Sequence, residues 1–298
     1  MAQLSTVGGD GGRRMLPFLD YFEYNKDNFS MPKPKDTSWG NVAGWYHEML
    51  ESEGTFQKEV ILPNLKRLLE IKKGETVLDL ACGTGFFSRE FATLGAKVIG
   101  VDLGKGLIEI AKHAEAERSL KILRSAQDDK KNTVQYVVSS ADDLNFVLKN
   151  SVDTIVIVLA LQNIENVHGV LKECKRVLKP KGKIVLVLNH PAFRVPKSSD
   201  WGWDEESMIQ YRRIDAYLSE KQVKIEMHPG ENKNIKTISF HRPLQYYFKM
   251  FAKNNLAVTK MEEWISNRVG PKGRKFAASE KARKEIPLFL FLELKSIT

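Results

Sequence analysis

"VLDLACGTGFFS", residues 77–88, is typical of a buried β-strand that runs into a loop of small residues and then into a helix. The apolar run contains one acid, Asp79. The loop consists of Ala81, Cys82, Gly83, Thr84 and Gly85. Glycine accepts positive φ angles and lets a ligand approach the backbone without a Cβ atom in the way. Because open α/β sheets bind ligands beyond the carboxyl ends of their strands, we expect a small-molecule site at this loop.

Segments with strand-like and helix-like patterns alternate around this loop. Predicted strands cover residues 76–81, 97–102, 134–139, 153–160 and 183–189. Predicted helices cover residues 42–50, 56–71, 86–94, 107–117 and 166–178, and a "KPKG" turn follows the last of them. Beyond these, the pattern predicts a helix at 242–254 and strands at 257–265 and 287–295. Strands that alternate with helices form a parallel sheet covered on both faces, so the sequence predicts an α/β fold with a doubly wound sheet.

The same pattern predicts the domain organisation. Residues 1–40 are rich in Gly, Asp, Lys and Pro, and we expect them to form a flexible N-terminal segment. Residues 41–298 are expected to form a single domain. Two segments interrupt its rhythm: a surface insertion at 118–131, where a short connection is usual, and a polar and aromatic insert at 190–240. We expect the second insert to form a lid over the ligand site.

Composition excludes several classes of protein. The 298 residues are 42% hydrophobic and 28% charged, which is typical of a soluble globular chain. The longest apolar run, residues 155–161, is shorter than the roughly 20 residues that span a bilayer, so no membrane span is predicted. Cys82 and Cys174 are the only cysteines and the six histidines are scattered, so neither a disulfide framework nor a metal site is predicted. We expect a cytoplasmic protein. The net charge of +9 comes largely from scattered lysines, so we interpret it as a solvated surface and not as a nucleic-acid site.

A second acid identifies the class of ligand. Asp102 ends the strand "VIGVD" nineteen residues after Gly83, which is the position that bonds a ribose hydroxyl in nucleoside-binding folds. Asp79 lies just before the loop, where it would repel a pyrophosphate but would suit a ligand that carries an ammonium and a sulfonium group. The sequence lacks a G-x-x-x-x-G-K-[ST] motif, which excludes an ATP P-loop.

These motifs together resemble those of the class I S-adenosylmethionine-dependent methyltransferases, in particular the small-molecule branch that includes the quinone-biosynthesis C-methyltransferases. "VLDLACGTG" is similar to the first family motif, with Ala81 in place of its first glycine, and "VIGVD" is similar to the second. "SSADDL" and the segment at 159–187 resemble the adenine-contacting motif and the fourth strand, helix and fifth strand of the family. The resemblance implies a Rossmann-like methyltransferase fold with a mostly parallel seven-stranded sheet, N-terminal helices and a lid insert after strand 5. Its cofactor would be S-adenosylmethionine.

The resemblance also implies roles for individual residues. Asp79 and the backbone of the loop would hold the methionine end of the cofactor. Asp102 would hold the ribose, Leu103 would pack on the adenine, and Ala141 would donate its backbone N–H to the ring. The adenine amine would be bound by Ser140, where the family often has an acid, or by the neighbouring Asp142. Leu159, Ala160 and Gln162 would line the face of the site that holds the methyl group of the donor. Cys82 would contact the cofactor from the loop, and Tyr46 would contact it from an N-terminal helix that closes over the site.

The sequence predicts fewer details of the site that binds the methyl acceptor. Methyl transfer needs in-line geometry, and it needs a base only if the acceptor must lose a proton. His190, at the carboxyl edge of the sheet, is the preferred candidate, and His241 is the second. We expect a small organic acceptor. The alternatives are a methyltransferase of RNA or protein, a non-catalytic cofactor-binding homologue, and an NAD-binding oxidoreductase.

Overall fold

The carboxyl ends of five parallel strands form one edge of a seven-stranded sheet. The computed structural model describes Trp39 and residues 43–124, 134–226 and 236–297, all within one compact unit, Asp36–Thr298; the other unit, Met1–Lys35, lies outside the described residues. The helices are α1 (Ala43–Glu51), α2 (Leu62–Leu69), α3 (Phe86–Thr93), α4 (Lys105–Arg124), α5 (Val167–Val177), α6 (Leu244–Lys253) and α7 (Phe276–Glu285). The strands are β1 (Thr76–Leu80), β2 (Lys97–Asp102), β3 (Val134–Val138), β4 (Val152–Val158), β5 (Leu178–Asn189), β6 (Ser199–Asp204), β7 (Ile209–Ile214), β8 (Lys221–Glu226), β9 (Lys236–His241), β10 (Leu256–Trp264) and β11 (Phe289–Ser296).

The strand order is β10-β11-β5-β4-β1-β2-β3. β1 pairs in parallel with β2 and β4, and the outer pairs β2 with β3 and β4 with β5 are parallel as well. β11 runs antiparallel to both β5 and β10. The predicted doubly wound, mostly parallel seven-stranded sheet is therefore confirmed, together with its antiparallel end.

The apolar run of β4 shows why this sheet is buried on both faces. Ile155, Val156 and Ile157 are all fully buried, yet Ile155 and Ile157 pack into one hydrophobic cluster with α5 and α6, whereas Val156 packs into another with α2 and α3. Successive side chains of a strand point to opposite faces, so a continuous apolar run fits a strand covered by helices on both sides.

Several elements differ from the sequence-based expectation. β5 begins at Leu178, which pairs with Val152, so the predicted "KPKG" turn lies in extended backbone. α4 continues to Arg124, so the first part of the predicted insertion at 118–131 is helical, and residues 125–133 lie outside the described part of the chain. A short π-helical turn, Gln57–Ile61, precedes α2.

The insert at 190–240 contains two β-hairpins that the sequence did not predict. β6 pairs with β7 and β8 with β9, each antiparallel and outside the main sheet. The predicted segment 1–40 falls outside the described residues, apart from Trp39. Within the described ranges, every helix is too short or too polar to cross a bilayer.

Candidate active site

Two non-glycine residues with left-handed backbone mark the carboxyl edge of the sheet. Ala81 follows β1 with φ 59° and Leu159 follows β4 with φ 51°. Because β1 and β4 pair in parallel, these residues lie at the same edge of the sheet. A left-handed conformation costs an L-residue roughly 1–2 kcal/mol. Such strain is concentrated at functional sites, so the geometry supports a site at this edge.

The two glycines of the β1 loop, defined as residues 81–85, have different neighbours. Gly83 has φ 57°, and a Cβ atom there would lie 3.4 Å from Cε1 of Tyr46 on α1. Gly85 has φ 75°, and a Cβ atom there would lie 2.2 Å from Oη of Tyr136, whose hydroxyl donates to the Gly85 carbonyl at 3.3 Å. Gly85 is thus required by the packing of Tyr136, and Gly83 by its own backbone conformation. Tyr46 therefore lies close to the β1 loop.

Asp79 is buried at the end of β1, with 2% of its surface exposed. The Ser88 hydroxyl donates to its Oδ2 at 2.5 Å. Burial raises the pKa of Asp79 to about 7; the hydrogen bonds from Ser88 oppose this rise and the charge of Asp102 adds to it. Burial and the same two carboxylates raise the pKa of the nearby Tyr46 hydroxyl to about 12. A cation placed beside Asp79 would stabilise its ionised carboxylate.

Asp102 ties the β1 loop to the end of β2. Its Oδ2 accepts from the Gly83 backbone N–H at 2.9 Å and its Oδ1 accepts from the Gly104 N–H at 2.8 Å. Burial raises its pKa, while hydrogen bonds from the backbone groups of Gly104, Gly83 and Leu103 act in the opposite direction. A carboxylate offers about four acceptor positions, so room remains for a further donor such as a ribose hydroxyl.

The ends of β2 and β3 leave apolar surface beside this carboxylate. Leu103 is 37% exposed and Val138 45% exposed, and Asp102 is the register partner of Val138. Ser140 donates its hydroxyl to Asp142, whose other oxygen accepts from Nδ2 of Asn166 at 2.7 Å. Because the hydroxyl proton of Ser140 is directed at Asp142, its oxygen remains an acceptor.

Three buried polar atoms have no hydrogen-bond partner among the described residues: His47 Nδ1, Thr84 Oγ1 and Gln162 Oε1. Thr84 belongs to the β1 loop, His47 follows Tyr46, and Gln162 follows β4. Buried polar atoms are rarely left unsatisfied, so Thr84 and Gln162, which lie at the carboxyl edge of the sheet, fit a site that is completed by a polar ligand. Together with the buried acids, they agree with the donors and the positive charge of S-adenosylmethionine.

A cavity of about 260 Å³ lies beyond the ends of β4 and β5, between the sheet and the insert; we call it the insert cavity. Gln162 lines it, so the cavity adjoins the residues that follow β4. Its other lining residues are Asn189, Pro191, Arg194, Val195, Pro196, Lys197, Ser199, Arg212, Ile225, Ser239, Phe240, His241, Arg242 and Tyr247. The location fits the predicted acceptor site, and two of the lining residues, Gln162 and His241, were candidate site residues in the sequence.

The two candidate bases differ in their hydrogen bonds. His190 is buried; its Nε2 donates to Glu263 at 2.7 Å and its Nδ1 accepts from the Ala192 N–H at 3.2 Å. Burial lowers the pKa of His190, although the bond to Glu263 opposes this. His241, 3% exposed, donates from Nε2 to the Tyr217 carbonyl at 2.7 Å, so Nδ1 carries the lone pair of the neutral ring. His241 lines the insert cavity and His190 does not.

Comparison with known proteins agrees with this geometry. Residues 78–186 match the family model described as a methyltransferase domain. The chain is 35% identical over 126 residues to demethylmenaquinone methyltransferase of Oceanobacillus iheyensis, which covers 41% of this chain and 48% of that protein. It is 32% identical over 113 residues to ubiquinone biosynthesis O-methyltransferase of Xanthomonas oryzae pv. oryzae, covering 38% of this chain and 42% of that protein. The chain thus spans less than half the length of these curated relatives.

A solved structure extends the likeness beyond the matched segment. The fold matches that of an S-adenosylmethionine-dependent methyltransferase from Mesorhizobium loti with a TM-score of 0.57 and 25% identity, over 78% of this chain and 95% of that one. The matched segment contains most of β1, all of β2 to β4 and most of β5, and with them the β1 loop and both acids. On this evidence residues 78–186 match a methyltransferase domain, and the described fold is similar to that of an S-adenosylmethionine-dependent methyltransferase.

Proposed function

We propose that the protein transfers the methyl group of S-adenosylmethionine to a small organic acceptor. The observation that carries this proposal is the juxtaposition at Gln162, which both follows β4 at the cofactor edge and lines the insert cavity. A cavity of about 260 Å³ suits a small molecule better than a polynucleotide or a protein segment. The names of the matched relatives, which are methyltransferases of quinone biosynthesis, support a small acceptor as well.

The residues of the carboxyl edge fit the parts of the cofactor. When bound, S-adenosylmethionine supplies an electrophilic methyl group on a sulfonium sulfur, which is the difficult part of the chemistry. Asp79 would face the methionine ammonium, whose charge compensates the burial of the carboxylate. Asp102 would accept from the ribose hydroxyls through its free lone pairs. Leu103 would pack on the adenine, and Ser140 and Ala141 would bond its edge.

The remaining cofactor contacts are assigned by position. The backbone of Ala81, Cys82, Gly83 and Gly85 would surround the methionine end, and Tyr46 would close over it. Leu159, Ala160 and Gln162 would line the face that presents the methyl group to the insert cavity. Asp142 would act through Ser140, whose hydroxyl it accepts.

His241 is the residue we assign to proton transfer. It would accept at Nδ1 the proton that the acceptor atom loses when it is methylated. The bond from Nε2 to the Tyr217 carbonyl fixes the tautomer and the orientation of the ring. His190 would hold the start of the insert through Glu263 and Ala192.

The first experiment is calorimetric titration of the protein with S-adenosylhomocysteine, with NAD as the control ligand. We expect binding of the nucleoside but not of NAD, and a loss of affinity of at least about tenfold in Asp102→Asn, because charge-assisted hydrogen bonds are lost. Absence of binding by the native protein would refute the proposal.

The second experiment separates binding from turnover. With methyl-labelled S-adenosylmethionine and a panel of small phenols and amines, His241→Gln is expected to lower turnover about 10²–10⁴-fold while its affinity for S-adenosylhomocysteine stays the same. His113→Gln is the matched control, because His113 is exposed on α4 and pairs with Glu117. If turnover survives in His241→Gln, the proton-acceptor role is wrong.

A further inference from the structure

Four cationic side chains surround the insert cavity: those of Arg194, Lys197, Arg212 and Arg242. No aspartate or glutamate is among the described residues that line it. The surplus of positive charge is therefore a local property of the cavity wall, distinct from the scattered lysines that account for the net charge of the chain. Two of the four cations are fixed by neutral partners, and their roles must be separated first.

Arg242 serves the architecture of the cavity. Its Nη1 donates to the Ile164 carbonyl at 2.9 Å and its Nη2 donates to the Glu165 carbonyl at 2.9 Å. Its guanidinium also lies 4.6 Å from the ring centroid of Phe240 and 5.1 Å from that of Tyr246. These contacts orient the guanidinium, but neutral partners leave its positive charge uncancelled.

Arg212 is held in a similar way on β7. Its Nε donates to the Phe193 carbonyl at 3.0 Å and its Nη2 donates to Ser199 Oγ at 2.7 Å, beneath the ring of Trp201. The charge of Asp200 raises the pKa of Arg212, but burial outweighs it and the pKa is lowered. Asp200 itself is exposed, and its Oδ1 accepts from the Trp201 backbone N–H.

Arg194 is different, because no hydrogen bond or ion pair engages its guanidinium within the described ranges. Its backbone N–H donates to the His190 carbonyl at 2.8 Å, which fixes the start of the side chain. Arg194 as a whole residue is exposed, yet the surrounding protein atoms desolvate its guanidinium. This desolvation, followed by the charge of Arg212, lowers the pKa of the guanidinium. Two cations that repel each other at the wall of a cavity are both stabilised when an anion lies between them.

We infer that the methyl acceptor carries an anionic group, a carboxylate or a phosphate, and that Arg194 binds it beside Arg212. The inference rests on the proposed function and specifies its substrate class. A guanidinium presents its donors in a planar fork that matches both anions. The apolar walls of Val195, Phe240 and Tyr247 would hold the body of the acceptor, and the anion would orient it relative to His241.

The test measures binding to protein saturated with S-adenosylhomocysteine. Benzoate, phenyl phosphate and the neutral benzamide are titrated by calorimetry into the native protein, Arg194→Gln and Arg213→Gln. Arg213 is the matched control, because it neighbours Arg212 on β7 but is exposed, pairs with Asp215 and does not line the cavity.

We expect the native protein and Arg213→Gln to bind at least one of the two anions about tenfold or more tightly than benzamide, and Arg194→Gln to lose that preference. The tighter of the two anions identifies the group as carboxylate or phosphate. Equal affinity for acid and amide, no anion binding, or a preference that survives in Arg194→Gln would overturn the inference. The first titration, with S-adenosylhomocysteine, tests the proposed function separately, since Arg194→Gln is expected to leave that affinity unchanged.

Discussion

Asp79 is expected to make the binding of S-adenosylhomocysteine steeply dependent on pH. In the free protein, burial raises the pKa of this carboxyl to about 7, so about half of the molecules hold it neutral at neutral pH. A ligand ammonium beside it favours the carboxylate and would return its pKa toward the ordinary value of about 3.9. Binding must therefore release a proton whenever the free protein carries one.

The size of the effect follows from that pKa. At pH 7 about one half of Asp79 is ionised and at pH 5 about one hundredth, so affinity should fall about fiftyfold between them, at a limiting slope of about tenfold per pH unit. The raised pKa also means that the folded state holds a proton that the unfolded chain loses near pH 4. This contribution to the free energy of unfolding of the ligand-free protein is present below about pH 4 and is lost as the pH rises to about 7.

The assay is calorimetric titration from pH 5 to pH 7 at constant ionic strength, in pairs of buffers with different ionisation enthalpies. Near pH 6, about 0.9 protons per bound ligand should be released. Asp79→Asn should bind weakly at every pH and flatten the curve. Ser88→Ala should move the curve to higher pH, because Ser88 hydrogen bonds lower the pKa of Asp79. An affinity that stays constant across this range in the native protein would show that Asp79 does not face the ligand's cation.

Three substitutions in the β1 loop test its packing by urea unfolding. Gly85→Ala should lower the free energy of unfolding by about 2–5 kcal/mol, because it adds left-handed strain and overpacking against Tyr136. The second substitution Tyr136→Ala in the same chain should recover part of this loss. An unchanged urea midpoint in Gly85→Ala would contradict the close approach of Tyr136. Thr84→Val should stabilise the ligand-free protein by about 1 kcal/mol, because it removes an unsatisfied buried hydroxyl. The same substitution should weaken the binding of S-adenosylhomocysteine. Tighter binding would show that the ligand does not use the hydroxyl. Ala81→Gly should raise the free energy of unfolding by up to about 1 kcal/mol, because relief of left-handed strain outweighs the added entropy of the unfolded chain, and a lowered midpoint would refute this.

The central sheet was predictable because its strands are buried on both faces. A run such as that of β4 admits few alternatives, and helix patterns between such runs fix the parallel order. The hairpins of the insert lack this signal: no residue of β6 or β7 is buried, and both strands contain charged side chains. α7 was missed for the same reason, since Ala282 is its only buried residue and no apolar stripe marks it.

The candidate site shows a similar division. Asp79, Gly83 and Asp102 were identified from local motifs, whose spacing reflects adjacent parallel strands. The difference between His190 and His241 depends on partners far away in the sequence, and so does the requirement for glycine at position 85, which comes from a tyrosine 51 residues away. Such contacts cannot be predicted from a local sequence pattern.

The insert cavity has a consequence for how proteins of this kind diversify. Except for Gln162, Asn189 and Tyr247, every residue that lines it lies between positions 191 and 242, in a single stretch of chain that carries both hairpins. The two acids and the β1 loop all precede that stretch. Under the proposed function, natural selection or a designer could exchange the hairpins as one unit and alter which acceptor is bound, while the proposed donor site stays unchanged.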